Sequence, residues 1–132
     1  MEMKVEPGKE VDELANGVIG AAIEVHKHLG PGYLEHVYEE ALAVELKLRG
    51  IPYVRQHPVS VAYKGCSVGE GRVDLLVGNN LIVELKAVET IMPIHKSQII
   101  SYLKAACMPL GLLINFNVRM MRDGIQRVVF SP

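Results

Sequence analysis

The sequence predicts an α/β (α+β) fold: a mixed β-sheet with a central hairpin, flanked by helices, in the order ααβββαββ. Three observations predict it. Apolar residues recur at helical spacing through the first third of the chain, on both sides of Gly30-Pro31-Gly32. Two apolar stretches then meet at Gly78-Asn79-Asn80, the signature of a hairpin. After a further amphipathic segment, Leu110 to Phe116 is almost wholly apolar, as in a strand buried on both faces.

The first helix is expected from about Lys9 to Leu29, with Val11, Leu14, Val18, Ala22, Val25 and Leu29 at helical intervals. The second is expected from about Tyr33 to Arg49, ending at Gly50, a residue suited to a position just past a helix. Leu34, Val37, Tyr38, Ala41, Leu42 and Leu48 are its expected inward residues. Glu35 and Glu39, four apart, share a stripe. Tyr53 to Tyr63 reads as a strand in which Val59, Val61 and Tyr63 alternate, with Pro58 marking an edge or an interruption. The hairpin follows. A third helix should start near Pro93, which suits a first helical turn, with Ile99, Ile100 and Leu103 inward. Val128 to Phe130 is expected as a last short strand after Asp123-Gly124. The crossover from Glu84 through the third helix to Leu112 should be right-handed and join parallel strands.

The hairpin also carries the chemistry. If Val77 pairs with Leu81, Asp74 falls opposite Glu84, and Glu84 and Lys86 lie on one face with it. A two-residue Asn79-Asn80 turn would instead place Asp74 opposite Leu85. Opposed side chains lie roughly 4.5–5.5 Å apart at Cβ. Two carboxylates and an ammonium would then meet in an apolar sheet, where charge is expensive unless paired or metal-bound. Mg²⁺, a hard cation that takes one or two carboxylates and keeps waters and substrate phosphates, relieves the conflict. Such an ion polarises a phosphoryl oxygen and acidifies bound water, the chemistry of phosphodiester hydrolysis. Lys86 would orient that water or stabilise phosphate charge. Alone, D…ExK is short and common, and an ion pair on a half-exposed strand explains it equally well. On the third helix Gln98 and Tyr102 are four apart and share a face. Gln98 suits a phosphate or a water, and Tyr102 a nucleotide strand; the plain reading puts both at the margin of an amphipathic helix.

Asp74, Glu84-x-Lys86 and Gln98-x-x-x-Tyr102 together resemble the PD-(D/E)XK nuclease superfamily in its RecB-type branch. Gly32-x-x-Glu35-x-x-Tyr38 is similar to the signature of the GxxExxY protein family of that superfamily. The resemblance runs from about Leu14 to Ile125, and the ordered combination is specific although each motif alone is weak. It implies a restriction-endonuclease-like core. It also implies that Glu35, Asp74 and Glu84 hold Mg²⁺ or Mn²⁺, with the backbone carbonyl of Leu85 as a further ligand and Glu39 as the alternative helix acid. Lys86 would be the catalytic lysine, with Gln98 beside Asp74 and Glu84 in catalysis. Gln98, Tyr102 and Lys96 would bind substrate. The proline that usually precedes the aspartate is replaced by Val73. Some RecB-type relatives hold an iron–sulfur cluster on four cysteines; with only Cys66 and Cys107 no such cluster is expected within this chain.

Length and composition bound the rest. A chain of 132 residues suggests one domain, 1–132, with 1–9 as a flexible N-terminal segment, and a hydrophobic fraction of 49% is ample for a core. Two cysteines argue against a disulfide framework and suit a reducing cytoplasm. The polar start MEMKVEPGKE lacks the apolar core of a signal peptide, and no stretch approaches the ~20 apolar residues of a membrane span. A net charge of −1 counts against strong autonomous nucleic-acid binding. Lys96, Lys104, Arg119, Arg122 and Arg127 offer a local basic patch or scattered surface charge. The histidines show no compact metal-ligand spacing; His95 reads as a helix-start residue or a phosphate contact. The expected activity is a metal-dependent nuclease acting on nucleic acid, DNA before RNA, with self-association plausible for so small a core. The alternative is a catalytically silent nuclease-fold module that binds a protein or nucleic-acid partner.

Overall fold

The structure, a computed structural model, describes residues 8–131. Most of the segment expected to be flexible, residues 1–9, lies outside the described residues; Lys9 already opens the first helix. The elements are α1 (Lys9–Leu29), α2 (Glu35–Leu48), β1 (Tyr53–Tyr63), β2 (Cys66–Val77), β3 (Leu81–Lys86), α3 (Pro93–Ala106), β4 (Leu110–Asn115), a 3₁₀ turn (Met121–Gly124) and β5 (Ile125–Val129). The strands form one five-stranded sheet in the order β1-β2-β3-β4-β5. All neighbours are antiparallel except β3 and β4, which α3 connects and which run parallel as the crossover requires.

β3 shows how one strand serves two cores. Leu81, Val83 and Leu85 face α1 and α2, packing with Val18, Ala22, Tyr38, Leu42 and Leu46. Ile82 faces the other way, toward Ile99 and Leu103 of α3 and Leu113 of β4. Side-chain alternation thus sandwiches the sheet between two helical layers, each removing apolar area from water at roughly 25 cal/mol per Å². In α2 the inward stripe is Tyr38, Leu42 and Leu46 at four-residue steps, with Ala43 beside it. Leu34 and Leu48, expected inward, are 70% and 76% exposed. Leu34 precedes the helix, and Leu48 lies about 2.8 turns beyond Tyr38, which rotates it off the stripe. Ile100, also expected inward, sits at the solvent edge while Ile99 and Leu103 are fully buried.

The hairpin has the register that places the charged residues: Val77 pairs with Leu81, Leu76 with Ile82 and Leu75 with Val83. Its loop needs left-handed backbone at Gly78 (φ 57°) and Asn79 (φ 62°). Gly78 has a second constraint, since a Cβ there would lie 2.6 Å from Leu14 Cδ1 of α1. The β1–β2 pairing is much longer, from Tyr53↔Val77 to Tyr63↔Cys66, so these strands continue past β3 as a two-stranded ribbon. The ribbon turns at Lys64-Gly65, both at positive φ (50° and 79°), the requirement of a type I′ turn. Between Val61↔Gly69 and Ala62↔Ser67 the register shifts, leaving Val68 as the extra residue of a β-bulge.

Candidate active site

The site lies where β2 parts from β3. One step beyond the last β2–β3 pair, carboxylates take the place of backbone acceptors. The Leu85 N–H donates to Asp74 Oδ2 at 2.7 Å, and the Asp74 N–H donates to Glu84 Oε1 at 3.0 Å. Asp74 and Glu84 therefore meet across the strands as the three-residue loop predicts. Glu84 is buried, only 6% exposed, while Asp74 and Lys86 are half-buried. Among the described residues the Lys86 ammonium forms no hydrogen bond or ion pair, although its charge reaches Asp74, Glu84 and Glu35.

Crowding of carboxylates in a poorly solvated place sets the electrostatics. Burial first, and the Asp74 charge second, push the Glu84 carboxyl up to about 8. Asp74 is also raised, chiefly by burial, against the Leu85 amide that holds its charged form. Glu35 is exposed along its chain, but its carboxyl end is crowded. Burial raises it, Lys86 pulls it down, and Asp74 and Glu39 add to the rise.

The signature residues explain how Glu35 arrives there. Gly32 adopts φ 112°, open to glycine alone at little cost. Tyr38, fully buried, donates its hydroxyl proton to the Gly30 carbonyl at 2.6 Å and accepts the Tyr33 N–H at 3.2 Å. Its ring stacks on Phe116 at 4.5 Å between centroids. The loop before α2 is thereby pinned, and Glu35 occupies the first turn of α2 facing Lys86.

Glu39, the alternative helix acid, is engaged elsewhere. Its Oε2 accepts from Arg55 Nη2 at 2.8 Å and its Oε1 from Gln56 Nε2 at 2.7 Å. Arg55 also binds Glu40 Oε1 at 2.6 Å, and these carboxylates raise its already high pKa. Gln56 reaches Asp74 Oδ1 at 3.4 Å from a left-handed backbone position, φ 50°. Arg55 and Gln56 were not among the residues read from the sequence. Counting back from the Lys64-Gly65 turn sets Gln56 opposite Val73, and only the Val68 bulge brings it opposite Asp74. The one available signal was an Arg-Gln pair in a strand otherwise of alternating apolar residues.

The α3 residues stand apart from this cluster. Gln98 is exposed and Tyr102 half-buried, with Gln98 Nε2 3.4 Å from the Tyr102 hydroxyl. Among the described residues neither is hydrogen-bonded to Asp74, Glu84 or Lys86. Tyr102 lies against Gly71 of β2, where a Cβ would overlap its ring. Lys96 is exposed on α3. The His95 ring accepts the Met92 N–H at 3.0 Å, closing the start of the helix.

Among the described residues no three His, Cys, Asp or Glu side chains are gathered into a preformed cation cage. Asp74 and Glu84 touch; Glu35 couples to them only through space. The donor chemistry nonetheless suits a hard divalent cation. Both carboxylates are raised by burial, Glu84 further by the Asp74 charge, and each gives one oxygen to a backbone N–H; the second, which in Asp74 also lies 3.4 Å from the Gln56 amide, keeps a lone pair for a cation. Cys66 and Cys107 are free and exposed. No helix of the described residues is long and apolar enough to cross a membrane.

A family model described as the PD-(D/E)XK nuclease superfamily matches residues 12–128. No match is found among curated proteins or among solved structures. The matched span runs from the first turns of α1 into β5, across the whole mixed sheet and all three α-helices, and on that match the chain belongs to the PD-(D/E)XK nuclease superfamily.

Proposed function

We propose that this chain is a divalent-cation-dependent nuclease that hydrolyses phosphodiester bonds in nucleic acid, DNA in the first instance. The observation that carries the reading is the meeting of Asp74 and Glu84 inside an apolar sheet, beside an ammonium that no side chain among the described residues neutralises directly. A fold gains nothing in stability from such a group of charges. Asp74 and Glu84, with Glu35 across from them and the Leu85 carbonyl as a further oxygen, would hold Mg²⁺ or Mn²⁺. When bound, that ion supplies polarisation of a phosphoryl oxygen and acidification of water.

The chain's own groups do the rest. The Leu85 and Asp74 amides fix one oxygen of each carboxylate, so the pair is oriented before any ligand arrives. Lys86, without an ion-pair partner among the described residues, would offset charge on a phosphate and orient the attacking water. Gln98, Tyr102 and Lys96 on α3 present an amide, a ring and a cation for a nucleotide strand. Phosphate contacts of this kind supply affinity without sequence readout. The net charge of −1 makes that affinity modest.

Within the superfamily we assign the chain to the RecB-type branch and the GxxExxY family. Support comes from Gly32 and Tyr38, which pin the loop that delivers Glu35. We read residues 1–132 as one nuclease-like domain working in the cytoplasm, where free thiols such as Cys66 and Cys107 persist. The test is cleavage of labelled single- and double-stranded DNA and RNA by the wild type and Lys86→Ala, each with Mg²⁺, Mn²⁺ or EDTA. Cation-dependent cutting lost in the variant is expected. No cutting of any substrate by the wild type would refute the reading in favour of a binding-only module.

A further inference from the structure

Gln56 combines three unusual properties in one exposed side chain. Its backbone is left-handed (φ 50°), a region where non-glycine residues are uncommon and concentrate at functional sites. It breaks the β1–β2 ladder: Arg55↔Leu75 and His57↔Val73 are paired, and Gln56 and Asp74 between them are not. Its amide lies between two carboxylates, 2.7 Å from Glu39 Oε1 and 3.4 Å from Asp74 Oδ1. No packing accounts for this conformation, since the side chain is exposed.

We propose that Gln56 is a positioning residue that sets the Asp74 carboxylate, with Glu39 and Arg55 as its anchors. Arg55 clamps Glu39 Oε2 through both Nε (3.1 Å) and Nη2 (2.8 Å), fixing the α2 end of the strut. Glu39 Oε1 then holds the Gln56 amide, which meets Asp74 at the oxygen that Leu85 leaves unclaimed. With Leu85 on Oδ2 and Gln56 toward Oδ1, the carboxylate plane is fixed from both sides. Glu39 is in this arrangement a support for Asp74, with both oxygens in use. The inference rests on reading the cluster as a cation site.

The test is Mn²⁺ binding, followed by titration calorimetry, with thermal melting of each variant as the check on folding. Gln56→Gly relieves the backbone and deletes the amide; Gln56→Leu keeps the backbone demand and deletes the amide. Both are expected to lose about tenfold to a hundredfold in Mn²⁺ affinity, the usual cost of removing a group that orients a ligand. Gln56→Gly should do so while melting no lower than wild type. Glu39→Ala should show a similar loss, and Glu39→Ala/Gln56→Gly no more than either alone, because both act through one strut. Wild-type affinity in Gln56→Gly would overturn the inference, because a loss then confined to Gln56→Leu would trace to the leucine side chain; a loss confined to Gln56→Gly would overturn it equally, because it would trace to the freed backbone. Failure of the wild type itself to bind Mn²⁺ would overturn the cation-site reading, and this inference with it.

Discussion

Replacing Glu84 by glutamine should stabilise the cation-free protein at neutral pH, and the gain should grow with pH. The Glu84 carboxyl moves from 4.5 in the unfolded chain to about 8 in the folded one. The folded state therefore keeps a proton that the unfolded state releases, and stability falls as pH rises through that window. At 1.36 kcal/mol per pH unit, the 2.5 units from 4.5 to 7 amount to about 3 kcal/mol. Glutamine is nearly isosteric, its carbonyl oxygen can still accept the Asp74 N–H, and it carries no titrating group. Urea denaturation of both proteins in EDTA at pH 5, 7 and 8.5 tests this. A small difference at pH 5, an advantage of about 3 kcal/mol for the variant at pH 7 and a larger one at pH 8.5 are expected, together with loss of cleavage. A pH-independent difference, or a variant less stable at pH 8.5, would refute the claim that burial of this carboxylate is what raises it. Saturating Mn²⁺ should narrow the gap, because a ligand of the folded state stabilises the wild type alone.

Three further outcomes are expected. Lys86→Met should lower cleavage by roughly 10²- to 10³-fold while leaving the urea midpoint nearly unchanged, since among the described residues the ammonium makes no ion pair to lose. Tyr38→Phe keeps the stack on Phe116 but removes both hydroxyl hydrogen bonds; a loss of about 1–3 kcal/mol by urea denaturation is expected, with cleavage reduced because the loop that delivers Glu35 is released. Gly71→Ala should cost about 1–3 kcal/mol by forcing the Tyr102 ring aside, and the cost should vanish in a Tyr102→Ala background, which a double-mutant cycle measures directly.

The layout of the fold was legible because its signals are local. Helix-spaced apolar residues located α1 and α2, Pro93 located the start of α3, and the Leu110 to Phe116 run located β4. The Asp74–Glu84 encounter followed from a single loop length, Gly78 to Asn80, since strand register has period two. Hidden were the features that depend on distant parts of the chain. Leu48 is as apolar as Leu42, and only the rotation of α2 on the sheet separates an exposed residue from a buried one. Glu39 and Glu35 are equivalent on a helical stripe; capture of Glu39 by Arg55 distinguishes them, and that needs β1 beside α2. Gln56 opposes Asp74 only through a bulge five residues from the nearer of the two, at Val61/Ala62, with nothing in the local composition to announce it.

Along β2 two mechanical regimes follow one another. On one side, Leu75 to Val77 are held by strands on both flanks and by a fully apolar core. On the other, the ribbon from Ser60 to Gly69 has one pairing partner and no side chain out of solvent, a structure of marginal stability by itself. Amide hydrogen exchange should therefore step up sharply along a single continuous strand, fast toward Val68 and slow at Leu76. The ribbon can fray and re-form without the core opening, and Asp74 is joined to it through the buried Val73 and through Gly71, which lies under Tyr102. Anything that grips the ribbon, a nucleic acid or a second protein, would act on Asp74 through a few peptide units of shared backbone.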